Sequence, residues 1–248
     1  MKDATQKIIT LIPAAGGGAR MGPGRNKLSM EIGGIPVIVR TVRAFQHHPS
    51  VDLVILITSG ADHATFDSLW PIHGIDAPPD IVEGGATRQA SVLNGLRYLS
   101  SFAAPNDLVL IQDGARCFTD HATISRCIVQ ARQSGACCAA VRLKDTIKHA
   151  EPDGTVIATP DRAKYWMIQT PQAFRFGMVW QAYQEATEKG IVGTDDASLV
   201  EAAGYAVTLV EGSYRNIKIT TPDDLLFGEA IARESLLLGR GTPGGQDA

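Results

Sequence analysis

The sequence predicts an α/β domain, a mostly parallel twisted sheet with helices on both faces, from which one β-hairpin projects. Three observations predict it. Short β-branched apolar runs alternate with longer amphipathic stretches, the rhythm of successive βα units. The runs IITLI (8–12) and DLVILITSG (52–60) are nearly continuous in apolar residues, as strands buried on both faces are. The first run empties into Pro13 and a glycine loop and a later one delivers Asp113, and ligands of open α/β sheets collect at such strand ends.

Taken in order, IITLI is a central strand, and IPVIVRTVRAFQHH after Gly34 is a helix with Val37, Thr41, Val42 and Phe45 on one face. DLVILITSG is the second strand. ATRQASVLNGLRYLSSF, opened by Gly84 and Gly85, is the next helix, and DLVLIQDGAR the third strand, with Asp113 at its carboxyl end. A helix through ATISRCIVQARQSG leads into the strand ACCAAVRL. From Lys144 to Lys164 the rhythm breaks: polar alternation flanks Pro152-Asp153-Gly154, a turn signal between short strands, which predicts a projecting hairpin. FRFGMVWQAYQEATEKG and TDDASLVEAAG read as helices and YAVTLVEG as a strand. TPDDLLFGEAIARESLLL closes the fold as a helix with Thr220 or Thr221 as its cap and Pro222 in its first turn. The Gly-rich tail GRGTPGGQDA is expected to be flexible.

At 248 residues, 44% hydrophobic and 20% charged, the composition is that of one folded domain with an elaboration. A net charge of −3 excludes a broad nucleic-acid surface, so the basic residues that matter are local, at a ligand. No apolar run approaches the roughly 20 residues of a membrane span. The amino terminus lacks a signal-peptide pattern, and the expected setting is the cytoplasm. Cys117, Cys127, Cys137 and Cys138 have no metal-ligand spacing and read as buried thiols.

The chemistry begins in Pro13-Ala14-Ala15-Gly16-Gly17-Gly18-Ala19-Arg20-Met21-Gly22. Small residues let backbone N–H groups approach a phosphate, and the loop ends in a cation. It is not a dinucleotide fingerprint, because Met21 stands where the last glycine belongs. It is not a Walker A loop either, because Lys27 lies between Asn26 and Leu28. Arg20, Arg25 and Lys27 follow the glycines, placed to neutralise a triphosphate and a departing pyrophosphate; alone, such a cluster is also what a solvated face looks like. Asp113 suits a Mg²⁺ ion held on phosphates, though a loop Asp is as readily a turn former. None of the six histidines reads as a catalytic base.

PAAGGGARMG with Lys27, GGATRQASVLNGL, QDGAR, DTIK, DR, QTPQAF, TDDASLVE and NIKITTPDDL occur in this order from about Ile8 to Leu226. The series strongly resembles the 2-C-methyl-D-erythritol 4-phosphate cytidylyltransferase family of the non-mevalonate isoprenoid pathway. The resemblance implies a nucleotide-diphospho-sugar-transferase-like sheet, a homodimer, and a divalent cation such as Mg²⁺. It implies transfer of CMP from CTP to a polyol phosphate, 2-C-methyl-D-erythritol 4-phosphate, with release of pyrophosphate. By the same resemblance Ala14, Ala15, Gly16, Gly17 and Gly18 hold CTP through the main chain, and Gly84, Gly85, Arg88 and Ser91 face the cytosine. Arg20, Lys27 and Lys218 are the catalytic cations, with Lys218 at a late strand end. Asp113 and Arg116 touch the metal or the polyol, and Arg162, Thr170 and Thr194 receive the acceptor. One domain is expected over residues 1–235, with 142–166 as a dimerisation arm, 236–248 as the tail and no second catalytic domain.

Two departures stand out. Asn26 replaces the family's usual Pro before the lysine, and Gln112-Asp113-Gly114-Ala115-Arg116-Cys117 replaces its usual His-Asp-Ala-Ala-Arg-Pro. The Asp and the Arg are retained, while loop geometry and acceptor preference stay open. Ribitol or ribulose 5-phosphate cytidylyltransferases are similar over the same motifs. A non-catalytic nucleotide-binding module is predicted to lack the cations or Asp113, and this chain has Arg20, Lys27, Asp113 and Lys218.

Overall fold

A computed structural model describes residues 6–16 and 26–239, with side chains through Glu234. Gly17, Gly18, Arg20 and Arg25 lie outside the described residues, as does the chain beyond Gly239.

The elements are, in order, β1 (Ile8–Pro13), β2 (Glu31–Ile32), β3 (Ile35–Pro36), α1 (Val37–Gln46), β4 (Leu53–Thr58), α2 (Gly60–Ile72), β5 (Asp80–Glu83) and α3 (Arg88–Leu99). There follow β6 (Leu108–Ile111), α4 (His121–Ser134), β7 (Ala136–Arg142), β8 (His149–Ala150), β9 (Val156–Ala158) and β10 (Trp166–Arg175). The last four are α5 (Phe176–Lys189), α6 (Asp196–Ala202), β11 (Thr208–Glu211) and α7 (Pro222–Gly239), which runs past the expected boundary at 235.

Seven strands form one sheet in the order β11-β7-β10-β6-β1-β4-β5. The β1–β4, β1–β6, β4–β5 and β7–β11 pairs are parallel, and β10 runs antiparallel between β6 and β7. Alternation along β1 divides the core in two. Ile8 and Ile12 pack with Val42 and Phe45 of α1, Phe66 and Trp70 of α2, and Ile124 and Ile128 of α4. Ile9 and Leu11 point to the opposite layer, with Val92 and Leu96 of α3, Val179 and Tyr183 of α5, and Leu199 of α6. A strand buried on both faces has no polar side to show, which is why IITLI reads as a nearly continuous apolar run, with Thr10 its one polar member.

Several elements differ from the sequence reading. The third strand ends at Ile111, so Asp113 stands in the loop beyond it. The helix expected from Phe174 starts at Phe176; Phe174 is a buried residue of β10. No side chain caps α5, so nothing in the sequence marked that boundary. The β2–β3 hairpin, α2, β5 and β10 were not anticipated. In β10 the buried Gln169, Thr170 and Gln172 interrupt any apolar pattern, and the pairing with β7 shifts register between Ile168 and Gln172. Residues 216–220, expected as a strand end, are irregular and dock through the Ile219 N–H on Ala115 O at 2.9 Å.

The hairpin is present. It leaves at Arg142 and returns at Trp166, and β8 and β9 form a separate two-stranded sheet. Gly154 at its tip has φ +88°, a left-handed conformation that glycine takes without a steric penalty. Because the hairpin leaves and returns at the same edge of the sheet, β10 enters there and runs against its neighbours. Thr170 is thereby set beside Asp113.

Asp107 secures the start of β6. Its carboxylate accepts from the N–H of Lys7 at 2.9 Å and of Ala104 at 2.8 Å, and the side chain is buried. Asp107→Ala leaves both donors without this partner and is expected to lower stability by about 1–3 kcal/mol. The check is a fall in the urea midpoint at an unchanged slope.

Candidate functional site

The site forms where β1, β4, β5 and β6 end. Two backbone bonds set its floor: Ala14 N–H to Ile57 O at 2.6 Å, and Gly84 N–H to Thr58 O at 2.8 Å. The loops after β1 and β5 are thus tied to the same strand, and they touch. A Cβ on Gly84 would lie 2.5 Å from that of Ala15, so the close approach requires glycine. Thr87 caps α3 by accepting from Ala90 N–H. The Ser91 hydroxyl accepts from Gly85 N–H at 3.0 Å and donates to Thr87 O at 2.9 Å, which holds the glycine pair in place.

Lys27 opens a 3-10 turn, Lys27–Ser29, on the other side of the cleft. Asn26 caps that turn, its side-chain oxygen accepting from Leu28 N–H at 3.0 Å, and the buried Leu28 anchors it. The residue that departs from the family pattern therefore supplies a cap.

Asp113 lies two residues past β6 with 8% of its surface exposed, and three cations surround it. Arg88 Nε is 3.1 Å from Oδ1, and on Oδ2 Lys218 Nζ lies at 2.9 Å and Arg116 Nε at 3.6 Å. Burial pushes the carboxyl up; Arg88, Lys218 and Arg116 outweigh it and hold it at about 2, below its ordinary 3.8. Its backbone N–H donates to Thr170 Oγ1 at 3.0 Å. Arg116 also donates to Asn216 O at 2.7 Å, and the buried Asn216 side chain donates to Thr170 O at 2.8 Å. The irregular segment that carries Lys218 is fixed by this polar web.

Ala14, Ala15, Gly16, Lys27, Gly85, Arg88, Ser91, Asp113 and Lys218 therefore line one cleft of about 200 Å³, with Gly84 behind Ala15 and with Arg116 and Thr170 behind Asp113. Thr194 and Arg162 are not among the lining residues. Thr194 is exposed on the loop before α6, and Arg162 is exposed on the hairpin, where it donates to Lys144 O at 2.6 Å. Sequence reasoning missed Asp196, a fully buried carboxylate in the motif TDDASLVE that grips the guanidinium of Arg88. It is the first residue of α6, after the cap Asp195, and nothing beside it in the sequence signals the arginine it holds.

A family model described as 2-C-methyl-D-erythritol 4-phosphate cytidylyltransferase matches residues 8–234. The chain belongs to this family. It is 46% identical over 228 residues to the 2-C-methyl-D-erythritol 4-phosphate cytidylyltransferase of Bacillus velezensis, covering 92% of this chain and 96% of that one. Identity to the Geobacter metallireducens cytidylyltransferase is 43% over 231 residues, 92% of this chain and 99% of its relative. The crystal structure of the 4-diphosphocytidyl-2C-methyl-D-erythritol synthase of Anaerococcus prevotii superposes with a TM-score of 0.79 at 32% identity, over 92% of this chain and 96% of the other. The cytidylyltransferase fold and the nucleotidyltransferase class follow from these matches. Among the described residues no helix is long and apolar enough to cross a membrane, and no group of three His, Cys, Asp or Glu is placed to hold a metal by itself.

The charge on Asp113 has a pH signature. Its carboxyl titrates lower in the folded chain than in the unfolded one, so its contribution to stability is full above about pH 4 and is lost as pH falls toward 2. Asp113→Asn leaves three cations around a neutral group. The variant is expected to melt below the parent at pH 7, and the gap in Tm should narrow between pH 4 and pH 2.

Proposed function

We propose that this cleft transfers CMP from CTP to 2-C-methyl-D-erythritol 4-phosphate, giving 4-diphosphocytidyl-2-C-methyl-D-erythritol and pyrophosphate. One observation carries the reading: a backbone cradle of small residues at the end of β1 faces Lys27, Lys218 and the buried Asp113 across one cleft. The matched family and relatives bear the name of this acceptor, which favours it over a pentitol phosphate.

The acceptor phosphate oxygen attacks the α-phosphorus of CTP in line with the leaving pyrophosphate. A phosphate monoester is largely ionised near neutral pH, its second pKa being about 6, so the step needs positioning and charge neutralisation rather than a strong base. In this reading the main chain from Ala15 to Gly18 receives the triphosphate, the Ala14 N–H being held by Ile57 O, and Lys27 and Arg20 stabilise the negative charge that grows on pyrophosphate. Lys218 reaches the non-bridging α-phosphate oxygens from its seat on Asp113. Gly84 and Gly85, held by Ser91, form the wall for the cytosine, and Arg88 steadies that wall and Asp113 together. Arg116, Thr170, Thr194 and Arg162 serve the acceptor.

A Mg²⁺ ion fits this donor set as a metal carried mainly by the triphosphate. The protein offers one deprotonated carboxylate, Asp113, where such sites use one or two together with substrate phosphates. When bound, the ion supplies neutralisation of phosphate charge.

Pyrophosphate release measured with CTP and each polyol phosphate tests the reading. Methylerythritol phosphate is expected to be the acceptor, and no release with any acceptor overturns the proposal. Lys27→Ala is expected to lower kcat roughly a hundredfold or more, the effect of removing one contact to the transition state, with unchanged circular dichroism.

The hairpin is proposed to dimerise. It exposes Val156 and Ile157 at its outer strand, and Tyr165, Met167 and Ile168 follow where the chain returns to the sheet, all exposed in the single chain. A two-stranded ribbon is marginal in water without a partner, and a two-fold arrangement covers both arms reciprocally. Arg162 then serves the acceptor phosphate in the other subunit, where its planar fork suits two oxygens at once. Inactive Arg162→Ala and Lys27→Ala chains, refolded together, are expected to recover activity in heterodimers. Heterodimers without activity refute the shared site.

A further inference from the structure

The transfer site is joined to α5 and α6 by a carboxylate that none of the roles above uses. Asp196 is fully buried at the first position of α6. It accepts Arg88 Nη1 on Oδ1 at 2.9 Å and Nη2 on Oδ2 at 2.7 Å, a two-pronged pair. The hydroxyl of Tyr183, itself buried on α5, donates to Oδ1 at 2.5 Å. Both terminal nitrogens of Arg88 are thereby directed at Asp196, and Nε at Asp113.

We propose that Asp196, backed by Tyr183, is a positioning residue for CMP transfer: it holds the fork of Arg88 away from Asp113, so that the Asp113 carboxylate stays open to Lys218. The inference rests on the function proposed above. A planar guanidinium prefers two parallel bonds to one carboxylate, and two carboxylates compete for the fork of Arg88. Asp196 wins because it is wholly buried and is fixed by the Tyr183 hydroxyl. Asp113 offers two oxygens, of which Oδ1 meets Arg88 Nε and Oδ2 meets Lys218 and Arg116. With Asp196 neutralised, the fork turns on Asp113 and displaces Lys218 from the carboxylate that aims it. The cations still attract the triphosphate, so the loss falls on turnover rather than on CTP binding.

Asp196→Asn and Tyr183→Phe are compared with the parent for kcat, for KM of CTP, and for CTP affinity by calorimetry in EDTA. Asp196→Asn is expected to lower kcat about thirtyfold, with KM for CTP and metal-free affinity each within threefold. Tyr183→Phe, which keeps the ring in the core, should give a several-fold loss in kcat of the same kind. In an Arg88→Met background, Asp196→Asn should change the remaining kcat by less than twofold, because the residue acts through Arg88. A kcat within twofold of the parent for both single variants overturns the proposal. So does an equal loss in the Arg88→Met background, the mark of a merely structural role. If Asp196→Asn fails to fold, Tyr183→Phe decides alone on the split between kcat and KM. A parent that releases no pyrophosphate overturns the functional reading and this inference together, whereas an active parent with unaffected variants overturns only the inference.

Discussion

The buried carboxylate of Asp113 among three cations is the interaction on which the site depends. A charge taken out of water is costly unless it is paired, and Asp113 is paired from three directions: Arg88 of α3, Arg116 two residues beyond Gly114, and Lys218 of a segment a hundred residues away. Each partner comes from a different part of the chain, so forming the cluster fixes the distances between the β5–α3 loop, the β6 loop and the late segment. The cluster sets three cations against the two carboxylates Asp113 and Asp196, and it borders the small residues Ala14, Ala15 and Gly16 and the lysine of the Lys27 turn. An anion with several phosphates is the complement of such a place.

The rest of the architecture follows from bringing these segments to one edge. Four parallel strands, β1, β4, β5 and β6, end there because each is connected by a helix that carries the chain back to the other edge. The single antiparallel strand is not an irregularity in that scheme. The hairpin hands the chain back at the edge where the site lies, and β10 begins its course there, carrying Gln169 and Thr170 into the polar web behind Asp113. The excursion that projects from the sheet as a hairpin thus also sets the course of the strand that completes the inner wall of the site.

Several features were readable from residues. The glycine loop, Lys27, Gly84–Gly85, Asp113 and Lys218 each sit in a short local motif, and their chemistry needs those residue types next to one another. The central strands announced themselves by nearly continuous apolar runs, and the hairpin by its Pro-Asp-Gly turn. What was hidden is non-local. Gln169 and Gln172 of β10, and Asn216 of the late irregular segment, are buried polar residues whose partners are remote in sequence, so β10 has no strand pattern to read. Asp196 carries no local signal, because the guanidinium it grips is 108 residues away.

The sequence by itself determined the α/β class, the two-sided core, the small-residue loop after β1 and the family, since periodicity and small-residue loops are properties of consecutive residues. Only the tertiary structure decided how the charges are shared. A guanidinium has one fork and a carboxylate two oxygens, and which of them meet depends on how α3, α6 and the end of β6 pack. That packing gave the two prongs of Arg88 to Asp196 and left Asp113 open to Lys218. It turned three isolated motifs into one site because desolvation at a shared edge makes such pairing obligatory.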